Sequence, residues 1–304
     1  MSTLAMTSRT PSDLASAAPA KGAAKDTTAS HPTRSRTTGS RIEGKQTFIR
    51  AIRAEWIKVR SLRSTWITSS IAVAITVLFG AGVAAASAQT TGWEAEAKHA
   101  ITSGTAIGMI VVAVLGALIV TGEYSSGQIR SSLAAVPQRG RLLLAKAIVG
   151  AVLAFVLGAG SVLAAWALSL PFMNGNAGSL ADPEYAGYIW GTGLCYAGIA
   201  LMAMGLGYIM RSTAGVITLT VVLLFVINIP LSLIAMKWDW ANNVQGLLPQ
   251  VASAAVTDPF ALYYEWSQEG SMYFLEHWQA IAVFSAWAIV PLILGWIVFS
   301  RRDA

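Results

Sequence analysis

Six uncharged, largely apolar runs follow one another along this 304-residue chain, and that succession leaves one class of fold open. They lie between Arg63 and Glu94, His99 and Glu123, Lys146 and Asp182, Glu184 and Arg211, Arg211 and Lys237, and His277 and Arg301. A helix needs about 20 apolar residues to cross the hydrocarbon core of a bilayer. In lipid the backbone must satisfy its own hydrogen bonds, which a helix does within one segment. The pattern places spans near 65–87, 101–121, 143–169, 187–210, 213–236 and 279–299. One such run alone would fit the buried helix of a soluble protein; six in series do not. With 12% charged residues, the chain also lacks the charge to coat a soluble domain of its length. The expected fold is an all-α integral membrane protein: six transmembrane helices preceded by an amphipathic interfacial elbow helix, with both termini cytoplasmic.

Orientation follows from the distribution of Lys and Arg, which concentrate on the cytoplasmic side of membrane proteins. With the N-terminus inside, every Lys and Arg except Lys98 and Lys237 falls on the inner side. The outer loops then hold nine acids, among them Glu94, Glu96, Asp182, Glu184, Asp239 and Asp258. The inner side carries +13 and the outer side −7, which together make the formal charge of +6. The basic balance is therefore a mark of sidedness, and no nucleic acid is expected as a partner. The outer loop at 237–278 is rich in aromatic residues, which favour the headgroup level, so it is expected to pack onto the membrane surface. Its stretch 246–256 is too short to span and reads as a re-entrant or interfacial helix.

Several chemistries are disfavoured. Ion-coupled carriers place ionisable residues inside their spans, and the span interiors here read as essentially free of them, with Lys146 and Arg211 at cytoplasmic ends. His31, His99 and His277 show no ligand spacing, and the single cysteine, Cys195, sits in an apolar run as a small buried filler. Neither a catalytic nor a metal site is expected. Residues 1–44 are Ser/Thr/Ala/Pro-rich with no apolar core, and read as a disordered cytoplasmic tail without a signal peptide. Residues 39–46 nearly fit the phosphate loop, but Gln46 replaces the hydroxyl residue that would hold Mg²⁺ and no strand precedes it. The chain is not expected to bind ATP, and no cofactor of its own is expected.

Two segments carry more information. Residues 47–63 read as an amphipathic helix in which Phe48, Ile52, Trp56 and Val59 recur at helical spacing, with Lys58 and three arginines on the flanks. A basic helix with such a face lies in the membrane interface. Glu55 projects among the apolar positions, and two readings stay open: a snorkelling side chain, or a carboxylate with a buried partner. The second segment, 122–141, follows the second span. A short helix over 126–135 would align Ile129, Leu133 and Val136 in one stripe, and Pro137 ends it. On the sequence alone that stripe has nothing of its own chain to cover it, so a cytoplasmic partner would supply the surface; a plain connecting loop is the other reading.

These residues resemble the permease subunits of ABC transporters of the type-2 exporter class. The stretch Ala54-Glu-Trp-Ile-Lys-Val-Arg-Ser-Leu-Arg-Ser-Thr-Trp66 is similar to their elbow helix. Gly122-Glu-Tyr, Gly127-Gln-Ile-Arg130, Leu133-Ala-Ala-Val-Pro137-Gln-Arg139 and Leu143-Leu-Ala-Lys146 resemble the family pattern GE(Y/F)xxGTxRxTLxxPxxRxxLxxxK, with Gln128 and Ser132 where threonine is usual. The resemblance covers residues 45–304. It implies a permease domain that forms the translocation pathway of an exporter in the cell (inner) membrane. A separate cytoplasmic ATPase would use ATP and Mg²⁺, and a second permease copy or paralogue would complete the pathway. By motif, Glu123, Gly127, Arg130, Leu133, Pro137 and Arg139 belong to the segment coupled to that ATPase. Glu55, Trp56 and Lys58 belong to the elbow, where Glu55 would pair with Arg130 or another base of the loop. Gly104 with Gly108, and Gly187 with Gly191, offer small surfaces for packing two copies. A membrane docking, immunity or signalling subunit is the alternative function. Little intramembrane charge suits an amphipathic or hydrophobic cargo.

Overall fold

The chain is described here from a computed structural model covering residues 47–90, 98–173 and 179–301. The tail at 1–44 and the phosphate-loop lookalike at 39–46 lie outside the described residues. The described residues are helical with no strand among them. Six helices are long and apolar enough to cross a membrane: Arg63–Ala88, Lys98–Ser125, Arg139–Phe172, Pro183–Met210, Thr213–Ala235 and His277–Arg301. All six expected spans are present. Most run a few residues beyond the expected bounds; the third starts four residues early, at Arg139, so that Lys146 stands two turns into it.

In chain order, α1 (Phe48–Ser61) turns at an extended Leu62 into α2 (Arg63–Ala88). The second span is α3 (Thr105–Ser125), followed by the short α4 (Gln128–Ala135) and by α5 (Arg139–Ser169). Next come α6 (Pro183–Met210) and the fifth span, built from α7 (Thr213–Val221), a π-helical turn (Val222–Val226) and α8 (Asn228–Ala235). The short helices α9 (Trp240–Gly246), α10 (Pro249–Ala252) and α11 (Ala254–Thr257) lead to α12 (His277–Arg301). The π turn has a local cause. Pro230 brings no N–H, so the carbonyl of Val226 loses its helical donor and the ladder shifts register. Ile227 N instead reaches back five residues to Val222 O at 3.0 Å, and Asn228 Nδ2 donates to Leu224 O at 2.9 Å.

The fourth span, α6, is the centre of the bundle. Its apolar window is 72% buried, against 17% for the fifth and sixth spans, and α3, α5 and α12 pack around it. Small residues allow the close approach that drives packing where water offers no hydrophobic gain. A Cβ at Gly205 would fall on the backbone of Pro291 and Leu292, and one at Gly295 would meet Gly205 O at 2.7 Å. Gly205→Val should therefore push α12 off α6 and lower stability by about 1–3 kcal/mol, the usual cost of overpacking. Gly82→Val, where a Cβ meets nothing within 4 Å, should leave the melting temperature in detergent close to that of the parent. Equal melting of the two variants would refute this crossing.

The glycine pairs expected between two copies are occupied within the chain. Gly104 and Gly108 face Thr76 and Tyr196, while Gly187 and Gly191 face Phe260 and the backbone of Val256. Spacing of small residues marks close contact without naming the partner, and here the partners are intrachain.

The 246–256 stretch is also different from a single re-entrant or interfacial helix. It forms two one-turn helices, α10 and α11, whose Ala252 and Val256 join the cluster of Met109, Cys195, Tyr196 and Phe284. Irregular backbone of this kind is tolerated where protein covers it. The aromatic loop likewise packs partly on itself: Tyr264 contacts Tyr263, Trp266 and Tyr273, and Trp266 lies edge-on to His277. Trp238 and Trp240 remain about half exposed.

Candidate functional site

Four charged side chains from three helices close into a ring at the end of α3 where α4 begins. On α1, Glu55 and Lys58 are one turn apart and Lys58 Nζ lies 2.7 Å from Glu55 Oε1. Lys58 Nζ also lies 2.9 Å from Glu123 Oε1, on the last turns of α3. Lys146 Nζ, two turns into α5, lies 2.6 Å from Glu55 Oε2 and 2.8 Å from Glu123 Oε1. Lys58 Nζ makes its third bond to Ser132 Oγ of α4, at 2.9 Å. The ring is neutral as a whole. Glu55 and Lys146 are 2% exposed and Glu123 is 6% exposed, so each charge depends on its partners and not on water. Burial works against the charge on Lys58, but the hydrogen bonds it donates to Glu55 and Glu123, together with their negative charges, outweigh it and hold its pKa above the ordinary lysine value.

The buried face of α1 is Ala51, Glu55 and Val59, so the carboxylate sits in the middle of the packed face. Trp56, expected on that face, is 42% exposed. The burial stripe of α1 is rotated because Glu55 finds two ammonium groups there. Arg130, one expected partner of Glu55, is exposed on α4. The carboxylate is instead held by a lysine of its own helix and by Lys146, so the snorkelling reading fails. Lys146 is the residue that sequence reasoning undervalued: the reading of it as a cytoplasmic end gives it no partner, yet it stands two turns into α5 and bridges Glu55 and Glu123. Glu123 likewise stands on the last turn of the second membrane-capable helix. A base and an acid each set among apolar neighbours at helix ends were the available signal.

The segment around α4 owes its shape to its own residues. Gly127 has φ +72°, the left-handed region where a side chain is strained, and no neighbour crowds its Cβ position. Glycine is thus needed there for the turn from α3 into α4. Val136 leaves the helical region before Pro137, as residues preceding proline do. The stripe of Ile129, Leu133 and Val136 is not left for a partner. It packs on the chain's own cluster with Val59, Ile119, Leu142 and Leu143. The face that stays exposed is Gln128, Arg130, Ser131, Ala134 and Ala135, continued by Pro137. Arg139 turns away from α4: its Nη1 donates to Phe299 O at 2.8 Å and Ser300 O at 3.3 Å, binding the start of α5 to the last carbonyls of α12.

A cavity of 260 Å³ borders the ring, with Thr65, Ile119 and Gln128 on its wall. Glu123 Oε2 has no hydrogen-bond partner among the described residues. Among the described residues no group of three His, Cys, Asp or Glu is placed to hold a metal ion. With both carboxylates already neutralised by ammonium groups, the arrangement is a joint: it fixes α1, α3, α4 and α5 to one another.

A search of curated proteins found no match to the chain. Residues 49–304 match the family described as ABC-2 family transporter protein. That match runs from the first turn of α1 through all six membrane-capable helices and takes in the whole charge ring, and the chain belongs to this family, as a multi-pass ABC-2 type permease.

Proposed function

We propose that this permease is the membrane-spanning subunit of an ATP-driven exporter, moved by a separate cytoplasmic ATPase through α4. The observation that carries the reading is the bond from Lys58 to Ser132, which ties α4 to the charge ring. One face of α4 is packed into the bundle and the other is exposed. A force on the exposed face reaches Lys58, and through its two carboxylate partners it reaches α1, α3 and α5 together. ATP and Mg²⁺ belong to the ATPase in this scheme, and a second permease copy or paralogue completes the pathway. The elbow α1 lies in the membrane interface, and both termini lie in the cytoplasm of a cell whose inner membrane holds the complex. The excess of Lys and Arg on the α4 side supports that orientation.

Single cysteines in a Cys195→Ser background test the arrangement. Ser131→Cys on α4 should react with an impermeant maleimide only after the cells are opened, and Glu269→Cys in intact cells. The reverse pattern overturns the orientation and with it the coupling. In proteoliposomes the chain alone should hydrolyse no ATP, whereas the complex with its ATPase should hydrolyse ATP and move cargo. Hydrolysis by the purified chain would assign the nucleotide site to the wrong subunit.

A further inference from the structure

At the opposite end of α3 from the charge ring, a cavity of 470 Å³ opens between the start of that helix, α10, α11 and the aromatic loop. Thr105 in its wall and Glu123 in the ring are carried by the same helix, about 27 Å apart at 1.5 Å per residue. Thr105 is 3% exposed. Its Oγ1 is buried with no hydrogen-bond partner among the described residues, an arrangement that costs stability unless something pairs with it.

Three further hydroxyls of the wall have spent their protons on backbone carbonyls, the first being Thr102 Oγ1, which donates to His99 O at 2.8 Å. Thr257 Oγ1 donates to Ser253 O at 2.8 Å, and Ser253 Oγ donates to Gln250 O at 2.6 Å. Their lone pairs remain, so the wall accepts hydrogen bonds. Tyr263, Tyr264 and Tyr273 add ring surface, and Tyr263 is fixed in place by stacking on His99 at 3.6 Å. No Asp, Glu, Lys or Arg stands among the described lining residues. The nearby Asp258 is occupied, accepting from the backbone N–H groups of Leu262 and Tyr263 at 3.2 and 2.8 Å. An anion entering here would lose its water without a counter-charge. A neutral ligand bearing hydroxyl donors and a cyclic apolar face would meet acceptors and rings.

We propose that this cavity is a binding site for a neutral, hydroxyl-bearing ligand with a ring face, of the chemical kind of an aryl glycoside. Its role as a cargo site rests on the export reading above, whereas occupancy is measured on the chain alone, so the two fail separately. The probes are phenyl β-glucoside and the matched anion phenyl β-glucuronide. The chain is held in lipid nanodiscs with Ser103→Cys at the cavity wall and Cys195→Ser elsewhere. The glucoside should slow N-ethylmaleimide labelling of that cysteine saturably, and the glucuronide should do so at least about tenfold more weakly. Adding Thr105→Val should weaken protection by the glucoside several-fold, up to about tenfold, as expected for one lost hydrogen bond. The same change should leave the melting temperature of the empty protein unchanged or higher, since it removes an unpaired hydroxyl. Ala254→Trp, which fills the cavity, should abolish protection. Absence of protection by the glucoside, equal protection by the glucuronide, or protection that survives Ala254→Trp would each overturn the assignment.

Discussion

Replacement of Lys146 by methionine should cost this permease about 3–5 kcal/mol, the typical penalty for removing one partner of a buried ion pair. Methionine roughly matches the length of the lysine stem, so the loss is chiefly one of charge. Glu55 Oε2 would lose its 2.6 Å partner, and Glu123 would depend on Lys58 alone. Two carboxylates would then share one ammonium in a place where water reaches them poorly. The measurement is thermal unfolding in nanodiscs, alongside the amount of protein reaching the membrane. The double variant Glu123→Gln with Lys146→Met restores neutrality, leaving Glu55 beside Lys58, and should recover much of the loss. Wild-type melting of Lys146→Met, or additive losses in the double variant, would show that the ring is not a coupled unit. A buried ring of this kind is not the most stable filling for its space, since well-packed apolar residues often do as well. What it adds is direction and register: each lysine has to bridge two carboxylates, which fixes how α1, α3 and α5 sit together.

Charge reversal at Arg130 should have the opposite profile, with normal folding and failed coupling. Arg130 lies on the exposed face of α4, so Arg130→Glu should melt with the parent and reach the membrane at the same level. Under the proposed function it places an acid where the ATPase docks. A coupling free energy of the usual size, about 1–3 kcal/mol, would be removed, which is a loss of roughly 5–150-fold in partner-stimulated activity. Leu133→Asp would be a poor test of the same idea. Leu133 packs on the chain's own apolar cluster, and aspartate there would damage α4 before any partner is involved. The ATPase co-purifying normally with Arg130→Glu, with full export, would remove α4 from the coupling route.

Much of this was legible in the sequence. Six apolar runs fixed the class and number of the long helices, because lipid admits only internally bonded segments and the length needed is set by bilayer thickness. The end of α4 was readable at Pro137, because backbone restrictions are local, whereas its start was expected at 126 and falls at Gln128, after the left-handed Gly127. Residues of the 123–146 pattern pointed to the family, and its hydroxyl at Ser132 proved to be the contact between α4 and Lys58.

Partnership was decided elsewhere. Helical periodicity tells which residues share a face, but not which neighbour covers it, because a contact over 65 or 91 positions of chain depends on how whole helices cross. Ile129 and Leu133 looked as though they awaited another protein and found α5 instead. Gly187 and Gly191 looked like a seam between copies and are filled by Phe260 and the backbone of Val256. Glu55 was visible as an acid among the apolar positions of a basic helix, and Lys146 as a base at the edge of an apolar run. Only the crossing of α1 over α5 brings them within 2.6 Å, and a buried charge takes its meaning from the charge beside it.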